Sequence, residues 1–313
     1  MKTTTQTKTP LEQLTEMNEQ AGKVRRRRAP VIRLSSKPEA YYRVQLNNIL
    51  RKILSFTKTE IMPIVEEEKE NFVQDSAFTI DTYSDRIIEA FKRLGPKFER
   101  IFSGQYDRLA RKTLSMAESE TTAAFLKSVN KAVGVDMERM IQNEGLNDYI
   151  DLSIRENVSL IKTLSEDFFK DIEQAVLNGI RTGYTPKFIS RDIQERFQAS
   201  QKIAHRIARD QVAKFTSDVT RQRQQSSGIK YYRVSTSKDI RVSGRPGGKY
   251  PKAKISCYNI ARQDIGFGPG VYRWDEGASY GGKTGLFPGR HHIQCRCTAS
   301  PVFEWELPAS KRK

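Results

Sequence analysis

Apolar positions recur at helical spacing through the middle of the chain. Leu46, Ile49, Leu50, Ile53 and Leu54 open the pattern, and 41–227 reads as helical throughout. Pro63, the pair Gly95-Pro96, Gly134 and Gly145 are expected to cut it into separate segments. The sharpest periodicity lies over 158–225. Ile161, Leu164, Phe168, Ile172 and Val176 form one stripe, with Gly179 read as its C-terminal cap. Thr185 then caps a new helix with Pro186 at its first position. Ile189, Ile193 and Phe197 make a short second helix, and Ala204, Ala208, Val212, Phe215 and Val219 one face of a longer third. The other faces of that third helix carry Lys202, Arg206, Arg209, Lys214, Arg221 and Arg223, a basic surface that either faces solvent or meets DNA.

The pattern changes at Ser226-Ser227-Gly228. IKYYRV (Ile229 to Val234), GVYRW (Gly270 to Trp274) and CTASPVF (Cys297 to Phe303) are short runs of β-formers separated by glycine and proline turns. The expected class is α+β: a mainly helical N-terminal and central part followed by a small, loop-rich β domain. The expected divisions are a disordered basic arm (1–35), a helical domain (36–150), a second helical part (151–227), a β-rich module holding cysteine and histidine (228–305) and a basic tail (306–313).

The arm is assigned by composition. Residues 1–35 are polar and then strongly basic at KVRRRR, with too little apolar surface to offset chain entropy. The whole chain has a formal net charge of +17, which favours a polyanionic partner because each neutralised phosphate releases counterions. Arg25, Arg26, Arg27 and Arg28 are the candidate DNA contacts, with a solubilising tail as the alternative. No stretch approaches the roughly 20 apolar residues that span a bilayer, and the opening residues have no signal-peptide core. Three cysteines do not suit a secreted disulfide scaffold. These features point to a protein made in a cytoplasm, without a membrane partner.

Five of the six cysteines and histidines fall between Cys257 and Cys297. Cys257, His292, Cys295 and Cys297 could chelate one metal, and sulfur with imidazole suits tetrahedral zinc. A structural Zn²⁺ would also stabilise a module with little core of its own. The alternative is that the closely spaced Cys295 and Cys297 are plain buried thiols. A hydrolytic reading of the same cluster would use His291 or His292 as base, with Asp264 or Asp275 beside it. No complete set of nucleophile, base and orienting group is visible, so no catalytic residue is assigned and the chain is expected not to be an enzyme. Gly277 to Thr284 (GASYGGKT) fits the phosphate-loop pattern by letter, but Pro288 and Gly289 deny it the helix that phosphate binding needs. Its glycines are read as turns.

The last part of the chain, about 155–303, resembles the phage Mu F-like head morphogenesis proteins, also called minor capsid proteins. The resemblance runs from IARDQVAKFTSDVTRQRQQSSGIKYYRVSTSKDIRV (Ile207 to Val242), with its S-x-D-x-R-V turn, through GVYRWDEG to LFPGRHHIQCRCTASP (Leu286 to Pro301). Pro288-Gly289, Cys295-Arg296-Cys297 and Pro301 supply the ending typical of that family. Many members carry a histidine soon after the R-V. Here RVSGRPGGKYPKAKISC follows, and Cys257 is the residue that would take its place. The resemblance implies a virion protein of the head interior or portal vicinity. Its partners would be the portal, major capsid or scaffolding proteins and phage DNA, and it would assist head assembly, DNA packaging or delivery. The alternatives are a metal-dependent nuclease or hydrolase built on the Cys/His cluster, and a non-specific DNA-binding protein.

Overall fold

The computed structural model describes residues 8–20, 22, 26–67, 80–138 and 146–312. It is α+β. Five helices dominate: α1 (Pro10–Gln20), α2 (Lys37–Phe56), α3 (Ile80–Val133), α4 (Leu146–Arg181) and α5 (Pro186–Ser226). The strands follow: β1 (Tyr231–Ser235), β2 (Val271–Arg273), β3 (Ala278–Tyr280), β4 (Lys283–Leu286) and β5 (Thr298–Val302), with a one-turn helix α6 (Cys257–Ile260) before β2. None of the described helices is long and apolar enough to cross a membrane.

The helices are longer than their punctuation suggests. Gly95-Pro96 lies inside α3 without ending it, whereas Gly134 does end it, at φ +80°. Gly145 lies outside the described residues. Pro63 is accommodated by a π-helical turn at Thr57–Ile61, after which the helix resumes over 62–67. Proline has no N–H to donate, and the change of register just ahead of it absorbs the defect. Thr57 Oγ1 donates to the Ile53 carbonyl there, at 3.0 Å.

Gly179 is not a cap. It sits within α4, where a Cβ would stand 2.4 Å from Ile189 Cγ1, so glycine is needed for close helix packing. The helix ends two residues before Gly183, which adopts φ +69°. The expected break between the second and third helices is also absent. Pro186–Ser226 is one helix whose first turn is capped by Thr185 Oγ1, accepting from the Phe188 N–H at 3.4 Å. Every residue of the three predicted stripes is buried.

By contacts the chain forms two units, each drawn from separated stretches, and the divisions fall inside α3, α4 and α5. The division after Asp151 lies next to the expected boundary at 150, whereas none falls at 227. One unit comprises 37–113 and 152–209. Its core holds Tyr42, Leu46, Leu50, Phe91, Phe102 and Phe168, with Phe98 set edge-on to Phe169 at 4.9 Å. The Tyr42 hydroxyl donates to Asn157 Oδ1 at 2.9 Å.

The other unit comprises 1–36, 114–151 and 210–313. Its sheet has strand order β2-β1-β5, antiparallel throughout, with Tyr232 opposite Tyr272 on one side and Pro301 on the other. Tyr232 stacks on Trp274 at 4.0 Å. Buried Gln224 of α5 accepts from Trp274 Nε1 at 3.0 Å and donates to the Ala299 carbonyl at 3.2 Å, joining the helix to the end of β2 and to β5. β3 and β4 form a hairpin closed by Gly281-Gly282, both at positive φ, as a tight two-residue turn requires. GASYGGKT is therefore a β-hairpin and not a nucleotide loop.

The expected disordered arm is corrected over its described part. Pro10–Gln20 is helical. Ala29 and Ile32 pack with Phe125, Val129, Ala132, Val133 and Phe303. Arg27 donates its N–H to the Ala132 carbonyl at 3.0 Å, and Ile32 donates to Ser300 Oγ at 3.0 Å. Two buried apolar residues next to an arginine run, Ala29 and Ile32, are enough to anchor it once a partner surface exists, and composition cannot register that. Arg25 lies outside the described residues. Arg26, Arg27 and Arg28 are exposed, and Arg26 pairs with Glu19 at 3.1 Å. Only the start of the basic tail is anchored: Leu307 is buried and Glu306 pairs with half-buried Arg233 at 3.3 Å, while residues 308–312 are exposed.

Candidate metal centre

A single loop brings the histidines and two of the cysteines to the core. It leaves β4, turns at Pro288-Gly289 and runs back to β5. Gly289 lies so close to α5 that a Cβ would stand 2.7 Å from Ser217 Cβ and 2.8 Å from the Ala213 carbonyl. Three residues of α5 fasten this loop. Ser217 Oγ donates to the Pro288 carbonyl. Asp218 pairs with Arg290, accepting from its Nε at 2.9 Å. Asp210 accepts from the Gln294 N–H at 2.9 Å, where Gln294 itself adopts φ +61°.

The third cysteine arrives from the opposite side. Ser256 caps α6, its Oγ accepting from the Asn259 N–H, and places Cys257 at the first helical position. Ser243 holds that turn by accepting the Cys257 N–H on Oγ at 3.0 Å and the Tyr258 N–H on its carbonyl at 3.1 Å. A Cβ on Gly244 would strike Ser256 Oγ at 1.9 Å, so the crossing requires glycine.

The result is a buried group of Cys257, His291, Cys295 and Cys297 whose ligand atoms all lie within 4.8 Å of one another. Three of the four expected ligands are in it. The histidine is His291 and not His292. His291 is 3% exposed and turns Nδ1 toward Cys257 Sγ at 3.3 Å. Half-buried His292 also reaches Cys257 Sγ, at 3.2 Å, but its Nε2 is shared with Ser243 Oγ and its Nδ1 with the Ile293 carbonyl. For two adjacent histidines the backbone turn decides which one enters, and the sequence does not show that turn.

The group fits a metal ion. Two sulfurs each about 2.3 Å from one tetrahedral ion stand about 3.8 Å apart, and Cys257 Sγ to Cys295 Sγ is 3.8 Å. Nδ1 is the His291 nitrogen that faces the sulfurs and would bind the ion, while Nε2 is buried without a hydrogen-bond partner. All three cysteines are free thiols. Their crowding separates their acidities. Hydrogen bonds from Cys257 and Cys297 hold Cys295 well below the usual thiol range. Hydrogen bonding to Cys257 and then to Cys295, with burial after them, pushes Cys297 well up, and hydrogen bonding to Cys295 takes Cys257 to about 12. The pocket thus carries one thiolate readily and resists further negative charge, the condition a divalent cation relieves.

The remaining candidates are engaged elsewhere. Asp264 Oδ1 accepts from the N–H groups of Gly266 and Gly268 at 2.8 and 3.0 Å, and Asp275 pairs with Arg273. Neither is joined to a histidine, so the hydrolytic arrangement is not assembled. On α5, Lys214 pairs with Asp210, and Arg223 pairs with Glu118 at 2.8 Å. Arg221 lies over the Phe287 ring at 4.1 Å. These three serve the fold and do not form a free basic face. Sequence reading missed Asp210, Ser217, Asp218 and Ser243, because ordinary polar residues acquire this role only through the turns they hold.

No protein-family profile and no solved structure matches the chain. An uncharacterized protein of Haemophilus influenzae is similar to it, 23% identical over 221 residues, which is 70% of this chain. The matched stretch spans 48% of that protein, about half its length.

Proposed function

We propose that this chain is a minor capsid protein of phage head morphogenesis, acting by binding, with a module stapled by one structural Zn²⁺ at Cys257, His291, Cys295 and Cys297. One observation carries the reading: the separate stretches that bear the resemblance to Mu F-like proteins converge on this cluster. Asp239 of the S-x-D-x-R-V turn pairs at 2.7 Å with Arg296 of Cys-Arg-Cys. Asp210, at the start of the resembling helix, holds the loop between Pro288 and Cys295.

Four protein ligands in a buried site leave no position for water or substrate, which favours a structural metal over a hydrolytic one. In this reading the metal supplies folding free energy to a module with a small core, and the helices bind portal, capsid or scaffolding subunits inside the head. Mass spectrometry of purified virions and procapsids tests it. The chain is expected in particles at low copy number, together with portal protein. Its absence from every particle fraction would sink the reading.

A further inference from the structure

The loop between β1 and α6 carries a concentration of charge that the metal centre does not use. Over 236–254 it holds Lys238, Arg241, Arg245, Lys249, Lys252 and Lys254 against one acid, Asp239. Asp239 is already engaged by Arg296 and Arg241, at 2.7 and 3.3 Å. Among the described residues, Lys238, Arg245, Lys249, Lys252 and Lys254 have no carboxylate partner. All but Arg245 are exposed.

The loop is also ordered. Its start is tied to Arg296 through Asp239, and Ser243 and Cys257 anchor it to the cluster. Inside it, the Lys249 N–H donates to the Ile240 carbonyl at 2.6 Å and the Gly244 N–H to the Tyr250 carbonyl at 2.9 Å. Arg245 donates to the Lys238 carbonyl. Five like charges held on a short closed loop repel one another, and a mobile chain would relax that repulsion by spreading. Here the backbone prevents it.

We infer that this loop is a preorganised contact for the phosphate backbone of duplex DNA. Lysine is depleted in protein–protein interfaces, and four of the six basic residues here are lysines, so the composition suits phosphates better than an acidic protein surface. Exposed Tyr250, with Lys249 Nζ at 5.6 Å from its ring centre, adds a planar face beside the charges. The inference deepens the head reading by naming the surface that meets packaged DNA. It also displaces the arm as the main contact, since Arg26 is already paired with Glu19.

The test is binding of the full chain to a random-sequence duplex, by fluorescence anisotropy, from about 50 to 200 mM salt. It compares the native chain with Lys249→Ser/Lys252→Ser/Lys254→Ser and with the charge-matched Arg26→Ser/Arg27→Ser/Arg28→Ser. Losing three phosphate contacts flattens the log–log salt slope by about 2.7 and weakens binding on the order of 10²-fold at low salt. The arm variant is expected to lose far less. Equal losses in the two variants, or an unchanged slope in the loop variant, would overturn the inference. So would equally tight binding to polyglutamate, which would assign the loop to an acidic protein. The loop lysines are exposed, so matching melting temperatures keep the comparison on charge. DNA binding by this loop in a chain absent from phage particles would defeat the head reading and leave this one standing.

Discussion

Trp274 Nε1 donates to Gln224 Oε1 at 3.0 Å, with both side chains almost fully buried. Gln224 spends its amide N–H on the Ala299 carbonyl, so one side chain satisfies a group on β5 and one on the residue that follows β2. Replacing Gln224 with leucine keeps the volume and strands both partners. The expected cost is roughly 1–3 kcal/mol, the desolvation penalty of unpaired buried polar groups. Urea unfolding measures it. A loss of only a few tenths would mean that water replaces the glutamine.

The two neighbouring histidines should separate cleanly. His291→Ala is expected to abolish stoichiometric zinc, whereas His292→Ala keeps it, as read by metal analysis of the purified protein. A chelator should lower the melting temperature of the native chain, and zinc affinity should fall with pH because protons compete for the thiolates and the imidazole. Zinc loss in His292→Ala with retention in His291→Ala would reverse the ligand assignment. Metal-free native protein of unchanged stability would leave three buried thiols and no centre.

Gly179→Ala should destabilise the helical unit by about 1–3 kcal/mol through overpacking against Ile189, although alanine is the better helix former. Trimming the neighbour with Ile189→Ala should relieve the clash. The double variant should therefore cost less than the sum of the singles, by about 1 kcal/mol or more, in a thermodynamic cycle. Additive costs would show that the helices part freely.

The chain should be sensitive to alkali. Burial raises the hydroxyls of Tyr42, Tyr106 and Tyr232 above their ordinary range. Burial, with Asp264 adding to it, takes Tyr272 to about 12 from 10.0. A raised value means that the neutral form is favoured when folded. Stability from these groups is intact below pH 10 and is lost as the pH climbs through about 12 for Tyr272. Tyrosinate absorbance during alkaline titration should show these four ionising late, together with unfolding. Smooth titration of all twelve tyrosines in a folded chain contradicts this.

The class of fold and the buried stripes were legible because burial follows periodicity: all five positions from Leu46 to Leu54 and all five from Ile161 to Val176 are core. The three strands on β-rich runs were legible for the same reason. Helix continuity was not. Gly95-Pro96 and Gly179 look like stops, yet packing overrides propensity at both, and a glycine needed for close approach has the same letter as a cap. The β3–β4 hairpin was hidden because GASYGGKT lacks the alternation of a half-buried strand. At the centre, spacing found the three cysteines. Choosing His291 over His292 needed the turn that Asp210, Ser217 and Asp218 hold from a helix some 70 to 85 residues earlier.

The hydrogen bond from Ile32 to Ser300 closes a separation of 268 residues. The unit that contains it draws on the first stretch of the chain, a middle stretch and the last. On a ribosome, Ala29 and Ile32 emerge well before Phe303 and have no complete surface to join until it has been made. Contacts of such span are slow to form, because the loop-closure entropy comes first. The segment that carries Ala29 and Ile32 can therefore settle only once the chain has been made as far as residue 303, whatever else of the unit has already formed.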